Sequence, residues 1–167
     1  GFAGLVVRFR AHEVKIEAHD DEARATIEGG APMAGTARRL ARQGWAGLEW
    51  AEGLPGTIGG AIYGNAGCYG GDIASVLERA WVLDAGEIQE WPAARFAFAY
   101  RTSALKQPSA SFVKLRPIIL AATFRLRRAD LTALARRMEQ TASERRSKTP
   151  WGASCGSVFK NPPGESA

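Results

Sequence analysis

Leu54-Pro55-Gly56-Thr57-Ile58-Gly59-Gly60-Ala61-Ile62-Tyr63-Gly64-Asn65-Ala66-Gly67-Cys68-Tyr69-Gly70-Gly71 is the stretch on which the reading of this chain turns. Seven of the residues from Gly56 to Gly71 are glycine, without a strict period. Ile58, Ile62, Tyr63 and Tyr69 interleave with them, which a flexible linker would lack. Successive backbone N–H groups in such a turn can point into one concavity and hold a phosphate or pyrophosphate. Glycine suits this because a Cβ would block close approach and positive φ angles. The pattern is not a P-loop, since no Lys-Ser/Thr follows, and no strand–loop–helix unit with a later acidic residue marks a dinucleotide fingerprint. On the residues alone, an anion cradle and a set of tight structural turns are equally supported.

Working outward, Leu5–Arg10, Val14–Ala18 and Ala23–Gly29 read as three short strands separated by polar turns. Pro32 suits the first turn of a helix over Met33–Gln43, which stops at Gly44. Leu48–Trp50 is an apolar connector. Downstream, Ser75–Leu83 and Glu87–Trp91 form a hairpin around Asp84-Ala85-Gly86. Pro92–Phe96 is one helical turn, and Phe98–Thr102 leads into a loop. Phe112–Leu126 is a long β segment interrupted at Pro117. Asp130 caps a helix running to about Ser147, where Leu131, Leu134, Ala135, Met138 and Ala142 form a stripe expected to face the core. Trp151–Ser157 is loop, and Val158–Lys160 starts another strand. The class is α+β: mainly antiparallel strands flanked by helices.

Composition sets the outer limits. The chain has 167 residues, 46% hydrophobic and 23% charged, enough for one real core. No apolar run is long enough to span a membrane. The first residues read as a strand rather than a signal peptide. Cys68 and Cys155 lack neighbouring His or Cys, which argues against a disulfide framework or a zinc site and fits a reducing cytoplasm. His12 and His19 read as surface residues, and no metal is expected. The net charge of +5 allows a nucleic-acid module, and Arg125, Arg127, Arg128, Arg136, Arg137, Arg145, Arg146 and Lys148 crowd the C-terminal third. No aromatic residue interleaves with those cations, as a single-strand groove would want, so a solvated helix face explains them.

Two further features carry possible chemistry. In Tyr100-Arg101-Thr102-Ser103, a loop Arg among aromatic residues can pair with a carboxylate or phosphate, or simply stack on Phe98 or Tyr100. In Gly156-Ser157-Val158-Phe159-Lys160-Asn161-Pro162, a Ser is held between Gly and an apolar strand. It could relay a proton, but no triad accompanies it.

Together, and in this order, the three motifs resemble the UDP-N-acetylenolpyruvoylglucosamine reductase family. That family shows Leu-Pro-Gly-x-x-Gly-Gly-Ala running into Asn-Ala-Gly-x-Tyr-Gly-Gly, matched by Leu54–Gly71. Its Tyr-Arg-x-Ser is matched by Tyr100–Ser103, and its Gly-Ser-x-Phe-Lys-Asn-Pro by Gly156–Pro162. The resemblance covers nearly the whole chain. It implies the FAD-binding fold of the vanillyl-alcohol-oxidase type, with residues 1–147 in the FAD-binding domain and 148–167 opening a substrate-binding domain. By the same resemblance the chain is a fragment. An upstream Gly-Gly-Gly-Ser-Asn-Leu-Leu loop and a downstream catalytic Glu would lie outside it.

The implied reaction uses NADPH and FAD to reduce the enolpyruvyl double bond of UDP-N-acetylenolpyruvoylglucosamine, giving UDP-N-acetylmuramate in peptidoglycan precursor synthesis. The resemblance makes Arg101 the cation beside the enolpyruvyl carboxylate and Ser157 the proton donor. Pro55, Gly56, Thr57, Ile58, Gly59 and Gly60, with Asn65, Ala66 and Gly67, would face FAD. Tyr100, Lys148, Lys160 and Asn161 would contact substrate. The expected protein is a cytoplasmic monomer that binds neither nucleic acid nor membrane. The readings set against it are a basic nucleic-acid-binding module and another flavin oxidoreductase of the same fold.

Overall fold

The computed structural model describes residues 1, 3–106 and 117–148. Strands β1 (Val14–His19) and β2 (Glu22–Glu28) open the fold as an antiparallel pair. Helix α1 (Met33–Arg42) and the short β3 (Trp45–Ala46) follow. A 3₁₀ turn at Glu49–Ala51 then leads to α2 (Ile58–Gly64). The two-residue strands β4 (Gly67–Cys68) and β5 (Gly71–Asp72) pair with each other, and α3 (Ile73–Val76) is a single turn. The hairpin β6 (Leu77–Asp84) and β7 (Glu87–Pro92), the long β8 (Ile118–Arg128) and α4 (Leu131–Lys148) complete the described chain.

The main sheet has six strands in the order β1-β2-β8-β6-β7, with β3 on the end of β8, and every pairing is antiparallel. One face carries the core. Ala23, Ala25 and Ile27 of β2 alternate inward, as do Ala122, Phe124 and Leu126 of β8, against Met33, Leu40, Leu48, Trp50, Ile58 and Ile62. The α+β expectation is met, and so is the hairpin. Ala85 (φ 50) and Gly86 (φ 89) both take the positive φ that a two-residue turn between twisted strands requires.

Three local expectations differ from the structure. Leu5–Arg10 is not a strand: Leu5, Val6 and Val7 are 87%, 78% and 76% exposed. An apolar run becomes a strand only where an edge accepts its hydrogen bonds, and β1 begins at Val14. Pro32 sits one position earlier than expected, in extended backbone (ψ 127) at the helix N-cap. The apolar stripe of α4 is not a core face. Leu134 and Thr141 are buried, Met138 and Ala142 are partly covered, Ala135 is exposed and Leu131 is 56% exposed. The helix packs mainly on α1 and the 49–51 turn rather than on the sheet. The uncovered part of its stripe floors a groove of about 520 Å³ between α1 and α4. The part of the long β segment before Pro117 lies outside the described residues. No helix among the described residues is long and apolar enough to cross a membrane.

Candidate functional site

The glycine-rich stretch, which reads equally as an anion cradle or as tight turns, contains a helix. Three glycines at positions 59, 60 and 64 of α2 each weaken a helix by about 1 kcal/mol relative to alanine. Tertiary packing offsets this, because Ile58, Ala61 and Ile62 are buried. The start of α2 is bound tightly to the sheet. The N–H groups of Ile58 and Gly59 donate to the carbonyls of Ala31 (2.9 Å) and Gly29 (2.8 Å), and that of Gly60 donates to Thr57 Oγ1 (3.3 Å). Gly29 itself donates to Leu120 O at 2.7 Å, and a Cβ there would stand 2.3 Å from Ile119 O. These N–H groups are therefore occupied within the protein. Pro55 and Gly56 are both exposed; the Gly56 carbonyl accepts from the N–H of Met33 (3.0 Å), and a Cβ on Gly56 would meet nothing within 4 Å.

The second half of the stretch is arranged differently. Asn65 ends α2 in the left-handed region (φ 44), where Asn is one of the few side chains that sits readily. Its buried amide bonds in two directions: Nδ2 donates to Ala99 O (3.2 Å), and Oδ1 accepts from the N–H of Ala74 (3.1 Å). Asn65 thus fastens the Tyr100–Ser103 loop to the glycine-rich stretch. Ser103, buried, adds a second tie by donating to Tyr63 O at 2.7 Å. Between these ties Ala99 and Thr102 exchange backbone hydrogen bonds, and Arg101 occupies the left-handed region at φ 55. Such backbone in a non-glycine residue costs on the order of 1 kcal/mol. Lys106 Nζ donates to Arg101 O at 2.6 Å, and the guanidinium lies 5.4 Å from the Tyr100 ring centre.

The outcome is a cleft of about 550 Å³. Asn65, Gly67, Gly70 and Gly71 stand on one side, and Phe98, Tyr100 and Arg101 on the other. Two motifs separated by 28 residues in sequence meet there. Cys68 lies behind the glycine wall. Burial pushes its thiol above the usual range, although Arg145 and then Arg101 pull it down. A neutral thiol fits its reading as a packed small residue rather than a nucleophile. Lys148 is the last residue of α4, one turn beyond Arg145, which touches Cys68. Ser157, Lys160 and Asn161 lie outside the described residues. Among the described residues no group of three or more His, Cys, Asp or Glu is placed to hold a metal ion.

The sequence reading missed the arginines of α4 as contacts. Arg137 and Arg145 read as a solvated face, yet both reach the β4–β5 turn. Charge clustering carried no signal of this, because the acceptors are backbone carbonyls and a thiol.

Residues 1–91 of the chain, which include the whole glycine-rich stretch, match a family model described as FAD binding domain. The chain belongs to that family and has its α+β FAD-binding fold. It is 56% identical to the UDP-N-acetylenolpyruvoylglucosamine reductase of Chloroflexus aggregans, over 100% of this chain and 56% of that protein. It is 36% identical to the one from Bacillus pumilus, over 97% of this chain and 52% of that protein. The crystal structure of UDP-N-acetylenolpyruvylglucosamine reductase from Thermus caldophilus superposes with a TM-score of 0.73 at 30% identity. That match covers 85% of this chain and 50% of the other. The chain spans about half the length of the curated relatives it matches.

Proposed function

We propose that this chain carries the flavin-binding part of an NADPH-dependent UDP-N-acetylenolpyruvoylglucosamine reductase. The observation that carries the reading is the meeting of the Gly67–Gly71 wall with Tyr100 and Arg101 in one cleft. Similarity over the whole chain to reductases of that name supports it. FAD, recharged by NADPH, supplies the hydride chemistry when bound. In this reading Pro55 and Gly56, both exposed, with Thr57, Ile58, Gly59, Gly60, Asn65, Ala66 and Gly67, form the stretch that faces FAD.

Hydride addition to an enolpyruvyl double bond leaves negative charge on the substrate's carboxylate side. A fixed cation there stabilises the transition state. Arg101 fills this role from a loop tied down on both sides, by Asn65 bonding Ala99 O and by Ser103 bonding Tyr63 O. Ser157 then gives a proton to the remaining carbon. Tyr100, Lys148, Lys160 and Asn161 contact substrate. Residues 148–167 open the substrate-binding domain, and the protein works as a cytoplasmic monomer.

The test is direct. The full-length protein should purify yellow and release all its flavin on acid precipitation, because no His in Leu54–Gly71 could tether it. A colourless protein that takes up no added FAD would overturn the reading.

A further inference from the structure

The β4–β5 turn that forms one wall of the cleft is held from outside by α4. Tyr69 (φ 50) and Gly70 (φ 80) make the turn, and Gly67, Gly70 and Gly71 line the cleft. On its inner side the turn rests on Trp50, so closely that a Cβ on Gly71 would stand 2.3 Å from the indole Cδ1. On its outer side Arg137 Nη2 donates to Tyr69 O at 2.5 Å. Arg145 donates through Nε to Glu52 O (3.1 Å) and through Nη2 to Cys68 Sγ (3.3 Å), and its guanidinium lies 5.4 Å from the Tyr69 ring centre. These bonds add to the packing of α4 on α1 and the 49–51 turn, in which Leu134 and Thr141 are the buried residues of the helix.

From this geometry we infer that Arg145, assisted by Arg137, is a positioning residue: it sets the glycine wall opposite Arg101 and so sets the width of the ligand cleft. The inference rests on the proposed reductase reading for its ligand, but not for its geometry. One guanidinium joins the 49–52 turn, β4 and the Tyr69 ring. A planar fork does this at fixed angles, and a lysine ammonium reaches only one acceptor at a time. Because the arginines touch no reacting atom, their loss acts on binding of the cleft's ligand rather than on the chemical step.

The test compares Arg145→Met, Arg145→Lys and Arg146→Gln in the full-length protein. Arg146 is the control, since it pairs with Glu139 on the surface of α4. Hydrogen exchange followed by mass spectrometry should show faster exchange over residues 65–72 in Arg145→Met, with β2 and β8 unchanged. Steady-state assays with NADPH should show KM for UDP-N-acetylenolpyruvoylglucosamine raised about tenfold with kcat within about threefold. Arg145→Lys should recover part of the KM loss, and Arg146→Gln should match wild type. Unchanged exchange over residues 65–72 would overturn the inference. So would a lowered melting temperature with unchanged KM, which marks a purely structural contact. If wild type shows no flavin uptake or turnover, the functional reading fails, and the exchange experiment alone decides whether Arg145 holds the turn.

Discussion

The two halves of the glycine-rich stretch have similar composition and opposite roles. In residues 55–60 glycine serves the protein: α2 sits close on the ends of β2 and β8, and its first N–H groups are consumed by Ala31, Gly29 and Thr57. In residues 65–71 glycine serves the cleft, and the bonds that matter come from Asn65 and from α4. A run of glycines that reads equally as an anion cradle or as tight turns is thus a structural joint followed by one wall of a cleft. The difference is made by what each half leaves open.

Substitutions can pull the two halves apart. The largest effect is expected at the joint. Gly29→Ala drives a Cβ against the carbonyl of Ile119, which belongs to a central strand and cannot yield. A loss of about 4 kcal/mol is expected, at the upper end for single substitutions, and urea unfolding measures it. Stability within about 1 kcal/mol of wild type would mean the joint is loose. Arg101→Lys on the cleft side should do the reverse. Unfolding should stay near wild type while kcat falls about 10²–10³-fold, as when one preorganised donor is lost. An unchanged kcat would remove Arg101 from the chemistry.

Asn65 stands where the halves meet and should show both effects at smaller size. Asn65→Ala strips partners from Ala99 O and the Ala74 N–H and puts at φ 44 a residue that sits in the left-handed region less readily than asparagine. A loss of about 2 kcal/mol is expected. Asn65→Gly relieves the backbone part only, so it should recover about 1 kcal/mol and leave turnover impaired. If glycine restores both, the amide bonds are incidental.

The smallest effect is a pH dependence behind the glycine wall. Burial raises the Cys68 thiol in the folded protein, so its contribution to stability is fully present below the ordinary thiol range. It is lost as pH rises from that range through the raised titration of the folded thiol, because the unfolded thiol ionises first. Thermal melts at rising alkaline pH should decline less steeply for Cys68→Ala than for wild type. Parallel curves would show that the site is wetter than its packing indicates.

Much of this was legible in the sequence, for identifiable reasons. The β6–β7 hairpin is written in Asp84-Ala85-Gly86, and β2 in strict alternation from Ala23 to Ile27. The motifs themselves were visible too. Their convergence was not, because it depends on two bonds of one buried amide and on a serine reaching Tyr63 across the fold. The Leu5–Arg10 run misleads because apolar content does not supply a partner strand. The α4 stripe misleads because helical period marks a face without saying whether anything covers it. Arg145 was hidden for a related reason: side chain to backbone contacts leave no complementary charge in the sequence to find.

The most direct measurement is anaerobic stopped-flow absorbance on the full-length protein, first with NADPH and then with UDP-N-acetylenolpyruvoylglucosamine. If the cleft between the glycine wall and Arg101 is a reductase site, NADPH bleaches the flavin. The enolpyruvyl sugar nucleotide then restores its colour, with UDP-N-acetylmuramate as product. Flavin that NADPH reduces but the enolpyruvyl substrate leaves bleached would contradict the account, because the FAD-binding fold would then serve a different reaction.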